Sequence, residues 1–343
     1  MASIGTENKT WQRELLLVLF IGGVLYGTSF QQYRHFDIES PRGSTDARSY
    51  LRMSHGDFNV RAMHRYRFII PVLVSAIRPA VVLLVGNSSK IDFLAFYLVN
   101  FVLMSATAYV FFYLLRSFGF GDTLSYVGIC IFLSSRITVQ TTGTPLVDSL
   151  YYFAIAVVFL GVKNGKITQL ILAYPLLILS KATIIPFLML PLLTHWQHRW
   201  KIFVSLALSV TVVALARHYL FQLASPDDQR TFVEAVSKPV TRFASNVARL
   251  FTPSGLHSLQ CGYSFFLCFG VVGFVLNSRR RLHDIPNAFL LIVPLSLTFS
   301  LMSGNIGRMF FTSSFVVIPY ALICIEHVLR PDPCDRTQQS LCE

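Results

Sequence analysis

The sequence predicts an all-α membrane protein, a single bundle of about ten transmembrane helices that covers residues 1–343. Hydrophobic residues make up 53% of the chain and charged residues only 13%, about half the ~25% typical of soluble domains. Apolar runs close to the ~20 residues of a membrane-spanning helix follow one another, without the short alternating segments of a membrane β-barrel. Lipid must therefore cover much of the apolar surface.

The first apolar run, Leu15 to Phe30, predicts a retained signal-anchor helix because it follows two basic residues and has no small-residue cleavage motif. The further runs that predict crossings are 91–115, 122–136, 146–162, 167–180, 184–194, 202–222, 259–276, 286–302 and 309–328. The runs 167–180 and 184–194 are short. We expect them to form two short helices that meet at Lys181, where a helix break is tolerated beside a cavity.

Lysine and arginine predict the orientation because they favour the cytoplasmic ends of membrane spans. The basic clusters are Lys9/Arg13, Arg116, Lys163/Lys166, Arg199/Lys201, Arg279–Arg281 and Arg330. If the run 68–86 does not span the membrane, all six clusters lie on the cytoplasmic side. If it does span, every cluster after the first lies outside. That run also contains two prolines and Arg78, which suit a bent interfacial segment. We therefore expect an amphipathic interfacial helix at 68–86, outward loops at 31–67 and 223–258, and both termini in the cytoplasm.

The net charge of +12 makes a nucleic-acid-binding protein the first alternative. The basic residues lie between apolar runs, however, so membrane topology explains them and we expect no nucleic-acid partner. None of the six cysteines forms a Cys-x-x-Cys pair, which argues against a zinc site or a disulfide framework. The sequence also lacks the motifs of phosphate-binding loops, zinc proteases and serine esterases.

The outward loop 31–67 is rich in arginine, against the trend that sets the orientation. Its arginines are Arg34, Arg42, Arg48, Arg52, Arg61, Arg65 and Arg67. The planar guanidinium group suits phosphate oxygens, and the alternative is a set of exposed ion pairs of little energetic value. In the short helix predicted from Ser44, Asp46 and Tyr50 share one face. Asp46 is then either a general base at the membrane surface or a first-turn acid that stabilises the helix start.

Three further charged residues lie near predicted helix ends, where a functional and a structural interpretation compete. Asp148 is an acid close to membrane depth, or it complements the dipole of a helix that begins at Thr144 and Pro145. Lys181 lines a cavity, or its side chain extends to the interface. Arg308 follows glycines that let a ligand approach the backbone, or it anchors a helix end at the interface.

The order of the motifs in the chain carries a family resemblance. The motifs are Asp46, Tyr50 and Gly56, then His64-Arg65-Tyr66-Arg67-Phe68-Ile69-Ile70-Pro71, Pro145-Leu146-Val147-Asp148, Ser180-Lys181-Ala182-Thr183 and Gly304-Asn305-Ile306-Gly307-Arg308-Met309-Phe310. In this order, and with this outward placement, they resemble bacterial multi-pass glycosyltransferases of the GT-C superfamily over most of the chain. The sequence departs from the family at Asp46, which has no adjacent acid, and at Lys181, which has no acid after it.

The resemblance implies a bacterial inner-membrane protein in contact with membrane lipid. It would move a sugar from a polyprenyl-phosphate donor to a glycan, lipid or protein acceptor at the outer face. Asp46 is then expected to be the catalytic base. The residues expected to bind the substrate are Tyr50, Arg52, His64, Arg65, Arg67, Asp148, Lys181 and Arg308. No cofactor follows from the resemblance, and a divalent metal ion stays an open alternative.

Two other functions remain open from the sequence. A transporter or flippase of an anionic or lipid-linked substrate would use the same broken helices and basic outer residues, although the chain lacks the internal repeats frequent in transporters. A non-catalytic subunit of an envelope-assembly complex would be inert alone and would need its partners for activity.

Overall fold

The computed structural model describes residues 4–39, 45–88, 90–222, 232–303 and 305–329, and within these ranges the chain is helical and has no strand. The all-α prediction is therefore confirmed. Of the residues singled out above, Arg42, Ser44, Gly304 and Arg330 lie outside the described residues, and the loop 223–258 is described from residue 232 onward.

The α-helices of the described residues are α1 (Ile4–Arg34), α2 (Thr45–Ser54), α3 (Ala62–Arg65), α4 (Ile69–Val85), α5 (Ile91–Ser117), α6 (Asp122–Ser134), α7 (Arg136–Gly143), α8 (Asp148–Lys163), α9 (Ile167–Ser180), α10 (Ile185–Leu188), α11 (Leu190–Thr194), α12 (Arg199–Gln222), α13 (Phe232–Leu250), α14 (Pro253–Tyr263), α15 (Phe266–Arg280), α16 (Ile292–Met302), α17 (Ile306–Phe310) and α18 (Ser314–Leu329). Short 3₁₀ turns, Ala182–Ile184, Trp196–His198, Asn287–Leu291 and Phe311–Ser313, connect or extend them.

Several helices are long and apolar enough to cross a membrane. By length and composition these are the segments Trp11–Arg34, Ile91–Ser117, Trp196–Ala216 and Ile306–Leu329. The helices α14 and α15 meet at a bend of 70° and count as a fifth span if taken together. Other apolar helices, such as Ile167–Ser180, have 10–17 residues, fewer than the ~20 that span a bilayer unaided. The described chain therefore has four or five candidate membrane spans.

Basic residues of several helices meet at one end of the bundle, which we call the basic end. Arg13 and Arg116 both pair with Asp122, at 2.6 and 3.0 Å, and Lys163 pairs with Asp284. The backbone N–H of Asp284 also donates to the carbonyl of Phe118, immediately after α5. This grouping includes Arg13, Arg116 and Lys163, and the side of the membrane that the basic clusters face stays a prediction.

The helix α4 lies at the opposite end of the bundle. Arg78, in the middle of α4, donates to the Asp92 carboxylate at 2.7 Å, and Asp92 stands in the first turn of α5. The ammonium group of Lys90, just before α5, donates to the carbonyl of Arg34 at the end of α1. The middle of α4 is thus tied to the end of the bundle where α5 begins.

Glycines allow two close contacts between helices near the candidate site and at the α15–α18 pair. A Cβ atom added to Gly273 in α15 would lie 1.7 Å from the carbonyl oxygen of Tyr320 in α18. One added to Gly307 in α17 would lie 2.2 Å from the carbonyl oxygen of Ser258 in α14. Small residues let helix backbones approach in this way inside membranes. The second contact fixes the position of the residue after Gly307, which is Arg308.

Candidate functional site

The helix α2 packs against the bundle through an apolar stripe, and in this orientation Asp46 faces the interior. Ala47, Tyr50 and Met53, at helical spacing, are buried, whereas Arg48 and Arg52 on the opposite face are exposed. The stripe packs into an apolar cluster formed with α4 and α5. The helix ends in a turn at Gly56, whose φ of 82° suits glycine and explains that residue of the motif.

Arg308 joins two carboxylates that are distant in sequence. Its Nη2 lies 3.3 Å from Oδ2 of Asp46, and its Nη1 lies 3.2 Å from Oδ2 of Asp148. The other oxygen of Asp148 lies 3.2 Å from Nζ of Lys181, and the other oxygen of Asp46 lies 3.1 Å from Nε2 of His64. A continuous chain of ion pairs therefore connects four separate parts of the sequence.

Arg67 completes this group. Its Nη1 donates to the Tyr50 hydroxyl at 3.2 Å, and its charge acts on Asp148 and Arg308. The Tyr50 ring in turn lies against His64, with 5.4 Å between the ring centroids. We call the five ionised side chains of this site the charged cluster: Asp46, Arg67, Asp148, Lys181 and Arg308.

Local backbone structure explains why these side chains converge. The helix α8 begins at Asp148, with Val147 as its N-cap, so the proposed cap at Thr144 lies before the helix. Lys181 is extended, with φ of −172°, between α9 and the 3₁₀ turn that follows. Its side chain is only 8% exposed, so it remains inside the bundle and does not extend to the surface.

The cap of α17 presents Arg308 to the cluster. The Asn305 side chain accepts from the backbone N–H of Arg308 at 3.1 Å and starts the helix. The Tyr152 hydroxyl donates to the carbonyl of Arg308 at 2.9 Å. The Nε atom of Arg308 and the Nδ1 atom of His64 are buried and have no hydrogen-bond partner among the described residues.

The charges of the site set its protonation states and its preference for ligands. The hydrogen bond from His64, reinforced by Arg308, lowers the pKa of Asp46 to about 2 despite partial burial, so this carboxylate is ionised at neutral pH. Burial raises the pKa of Tyr50 to about 12 and keeps the phenol neutral. Two carboxylates and three cations leave the charged cluster with a net charge of +1 when His64 is neutral. A buried excess of positive charge favours an anionic ligand.

The family models contain no match to this chain, and neither do the curated protein sequences. The function must therefore be argued from the site itself.

The structure brings together seven of the nine predicted site residues and places Arg52 and Arg65 elsewhere. Arg52 pairs with Asp57 at 2.7 Å, and both side chains are about half exposed. Arg65 is fully buried and donates to the carbonyls of Phe58 and Val60, at 2.8 and 2.6 Å. Arg65 thus holds the loop that precedes α3, and a role for either arginine in substrate binding stays a prediction.

Several residues of the site did not emerge from the sequence. Asn100, buried in α5, donates to the carbonyls of Thr144 and Leu146 at 3.1 and 3.0 Å and so holds the segment that leads to Asp148. An asparagine inside an apolar run is the signal that could have revealed it. Tyr151, whose ring lies 5.0 Å from the Lys181 ammonium, follows Asp148 at helical spacing.

The donor set of the cluster does not suit a resident divalent metal ion. Both oxygens of Asp46 and both oxygens of Asp148 already face cationic or imidazole nitrogens. Among the described residues, no group of three or more His, Cys, Asp or Glu side chains could hold a metal ion. A metal would have to displace Arg308 from both carboxylates, so we assign no step to one.

Proposed function

We propose that this protein is a GT-C-type glycosyltransferase that moves a sugar from a polyprenyl-phosphate donor to an acceptor at the outer face of a membrane. The observation that carries the proposal is the position of Arg308. One guanidinium group contacts a partly exposed carboxylate, Asp46, and a buried one, Asp148, in a cluster with a net positive charge. A phosphate-binding group and a candidate base are thus adjacent, as transfer from a sugar phosphate requires.

The proposed membrane arrangement has about ten crossings, with the shorter apolar helices spanning as bent or broken pairs. The basic end faces the cytoplasm, as the distribution of lysine and arginine favours, and the charged cluster faces outward. The helix α4 then lies along the outer interface, in keeping with the contact between Arg78 and Asp92. Both termini are cytoplasmic, and the membrane is the bacterial inner membrane.

The cations of the cluster bind the donor phosphate in the proposed mechanism. As the bond between the anomeric carbon and the phosphate oxygen breaks, its electron pair moves to the phosphate, and polyprenyl phosphate leaves as an anion. Arg308, Lys181 and Arg67 are fixed beforehand by Asp148 and Tyr50, so they stabilise this developing charge without reorganising. Asp148 then keeps two of the cations in place and does not exchange protons with the substrate.

Asp46 accepts the proton of the acceptor hydroxyl. A carboxylate with a pKa of about 2 is a weak base, yet it is ionised throughout the physiological pH range. The hydroxyl becomes strongly acidic once its oxygen begins to bond to the anomeric carbon, so proton transfer late in the reaction needs no strong base. The His64 hydrogen bond at 3.1 Å orients the carboxylate, and Asp46 afterwards releases the proton to water.

The test is turnover of a panel of polyprenyl-phosphate sugars by the purified protein in lipid nanodiscs. Wild type should release polyprenyl phosphate and glycosylate an acceptor, and Asp46→Asn should lose this activity. Asp57→Asn is the matched control, because Asp57 is a carboxylate paired with an arginine in the same loop but away from the cluster. Equal activity in the Asp46→Asn and Asp57→Asn variants would remove Asp46 from the mechanism.

The same assay separates the alternatives. Movement of the intact lipid-linked sugar across the bilayer, with the sugar–phosphate bond retained, would indicate a transporter or flippase. Inertness of the purified protein, with activity only after addition of a partner, would indicate an assembly subunit.

A further inference from the structure

An open cavity of about 290 Å³, lined by both apolar and polar residues, lies where α6 ends, α7 begins and α14 bends into α15. The polar side chains that line it include those of Ser134, Ser135, Arg136, His257, Gln260 and Cys261. The cavity shares no lining residue with the charged cluster. Its volume is close to the lower end of the roughly 300–1,000 Å³ range of small-ligand sites, so it is a separate candidate binding site.

The side chains of the cavity combine hydrogen-bond donors with one guanidinium group. Cys261 lies between Arg136 and His257, with its Sγ 3.5 Å from Arg136 Nη1 and 3.6 Å from His257 Nε2. His257 and Cys261 are four residues apart on α14 and therefore share a face. No aspartate or glutamate lines the cavity, and Arg136 forms no ion pair within the part of the chain that the structure describes. The exposed Arg136 thus places a positive charge at the cavity without a carboxylate among the lining residues.

The backbone adds to this positive potential. Arg136 is the first residue of α7, and the Ser135 hydroxyl accepts from the backbone N–H of Thr138 at 3.2 Å as the N-cap. The start of a helix carries a partial positive charge, which here has the same sign as the guanidinium group beside it. Both features favour an anion at this position.

The bend between α14 and α15 is held in an unfavourable backbone conformation. Ser264, which lines the cavity, has φ of 51° and ψ of −136°, a region that residues with a side chain seldom adopt. Its N–H donates to the carbonyl of Gln260 at 2.6 Å. Strain of this kind persists where the surrounding structure imposes it, and it is concentrated at ligand sites.

We propose that this cavity binds a phosphate group, carried either by the headgroup of an anionic phospholipid or by a small soluble phosphate compound. Arg136 provides the charge-assisted hydrogen bonds, and the His257 ring and the Gln260 amide provide further donors around the oxygens. The proposal does not depend on sugar transfer, since it uses none of the residues of the charged cluster.

The thiol of Cys261 reports occupancy of the cavity. Its alkylation by iodoacetamide can be followed peptide by peptide by mass spectrometry in nanodiscs, with the exposed Cys268 as the internal control. A ligand that covers the thiol slows alkylation by the factor 1 + [L]/Kd, about threefold when its concentration is twice Kd. Slowing by inorganic phosphate in phosphatidylcholine nanodiscs, relative to chloride at equal ionic strength, identifies a soluble ligand. Slowing only in phosphatidylglycerol nanodiscs identifies the lipid headgroup.

Variants decide whether the effect belongs to the cavity. Arg136→Gln should remove the protection of Cys261, and so should Gln260→Glu, which adds a carboxylate at the rim. Arg242→Gln is the matched control, because Arg242 is an exposed basic residue on α13 outside the cavity. The proposal would be overturned if neither inorganic phosphate nor phosphatidylglycerol changed the alkylation rate of Cys261. Equal protection of Cys261 in the Gln260→Glu and wild-type proteins would also overturn it.

Discussion

Asp148→Asn tests whether the charged cluster is one electrostatic unit. The carboxylate of Asp148 is 3% exposed and balances Lys181, which is 8% exposed, and Arg308. Asparagine keeps the shape and removes the charge, so two cations remain buried without their shared partner. Breaking a buried ion pair in this way costs about 3–5 kcal/mol of unfolding free energy.

A second substitution separates charge from packing. Lys181→Met in the Asp148→Asn background removes one positive and one negative charge together, so the cluster keeps its net charge of +1. The double variant should therefore regain stability, with a coupling energy of about 1–3 kcal/mol in the double-mutant cycle. Unfolding in mixed micelles provides the free energies, and Asp57→Asn, in an exposed pair, should cost less than about 1 kcal/mol. The reasoning would be refuted if the changes in unfolding free energy were additive. It would also be refuted if Asp148→Asn cost no more unfolding free energy than the Asp57→Asn control.

Three further predictions follow from the contacts and the pKa. Gly307→Ala places a methyl group against the Ser258 carbonyl, so we expect misplacement of the next residue and loss of turnover; full turnover would contradict the close contact. Asn100→Leu frees the segment before Asp148, so kcat should fall more than donor affinity in steady-state assays; an unchanged kcat would argue against this positioning role. The lowered pKa of Asp46 stabilises the fold above pH 3.8, and this contribution is lost as the pH falls through about 2. The stability difference from Asp46→Asn should therefore stay constant above about pH 5 and shrink below pH 4; a difference that already shrinks between pH 7 and 5 would contradict the lowered pKa.

The helical class and much of the site could be predicted from the sequence because they depend on local patterns. Long apolar runs require helices, and charges beside a proline, a glycine or a break in such runs are costly unless they have partners. This pattern singles out Asp148, Lys181 and Arg308, and in the structure Asp148 contacts both of the other two. Their chemical roles depend on the resemblance in motif order and stay proposals.

Other features depend on tertiary contacts that no local pattern contains. Helical spacing separates the faces of α2, but it does not distinguish an arginine that binds loop carbonyls, Arg65, from one that reaches the cluster, Arg67. The role of Asn100 depends on the neighbouring chain segment with which its amide pairs. The number of crossings also depends on tertiary contacts, since helices of 10–17 residues span only if neighbours or bends complete them.

The central claim is that one site holds both the donor phosphate and the base, and the two functions can be measured apart. Donor affinity and single-turnover transfer rate should be determined in nanodiscs for wild type, Asp46→Asn, Arg308→Gln and the Asp57→Asn control. The account predicts that Asp46→Asn retains donor affinity and loses transfer by roughly 10²–10⁴-fold, the usual contribution of a general base. It predicts that Arg308→Gln weakens donor binding as well as transfer. Wild-type transfer rates in Asp46→Asn, or wild-type donor affinity in Arg308→Gln, would contradict it.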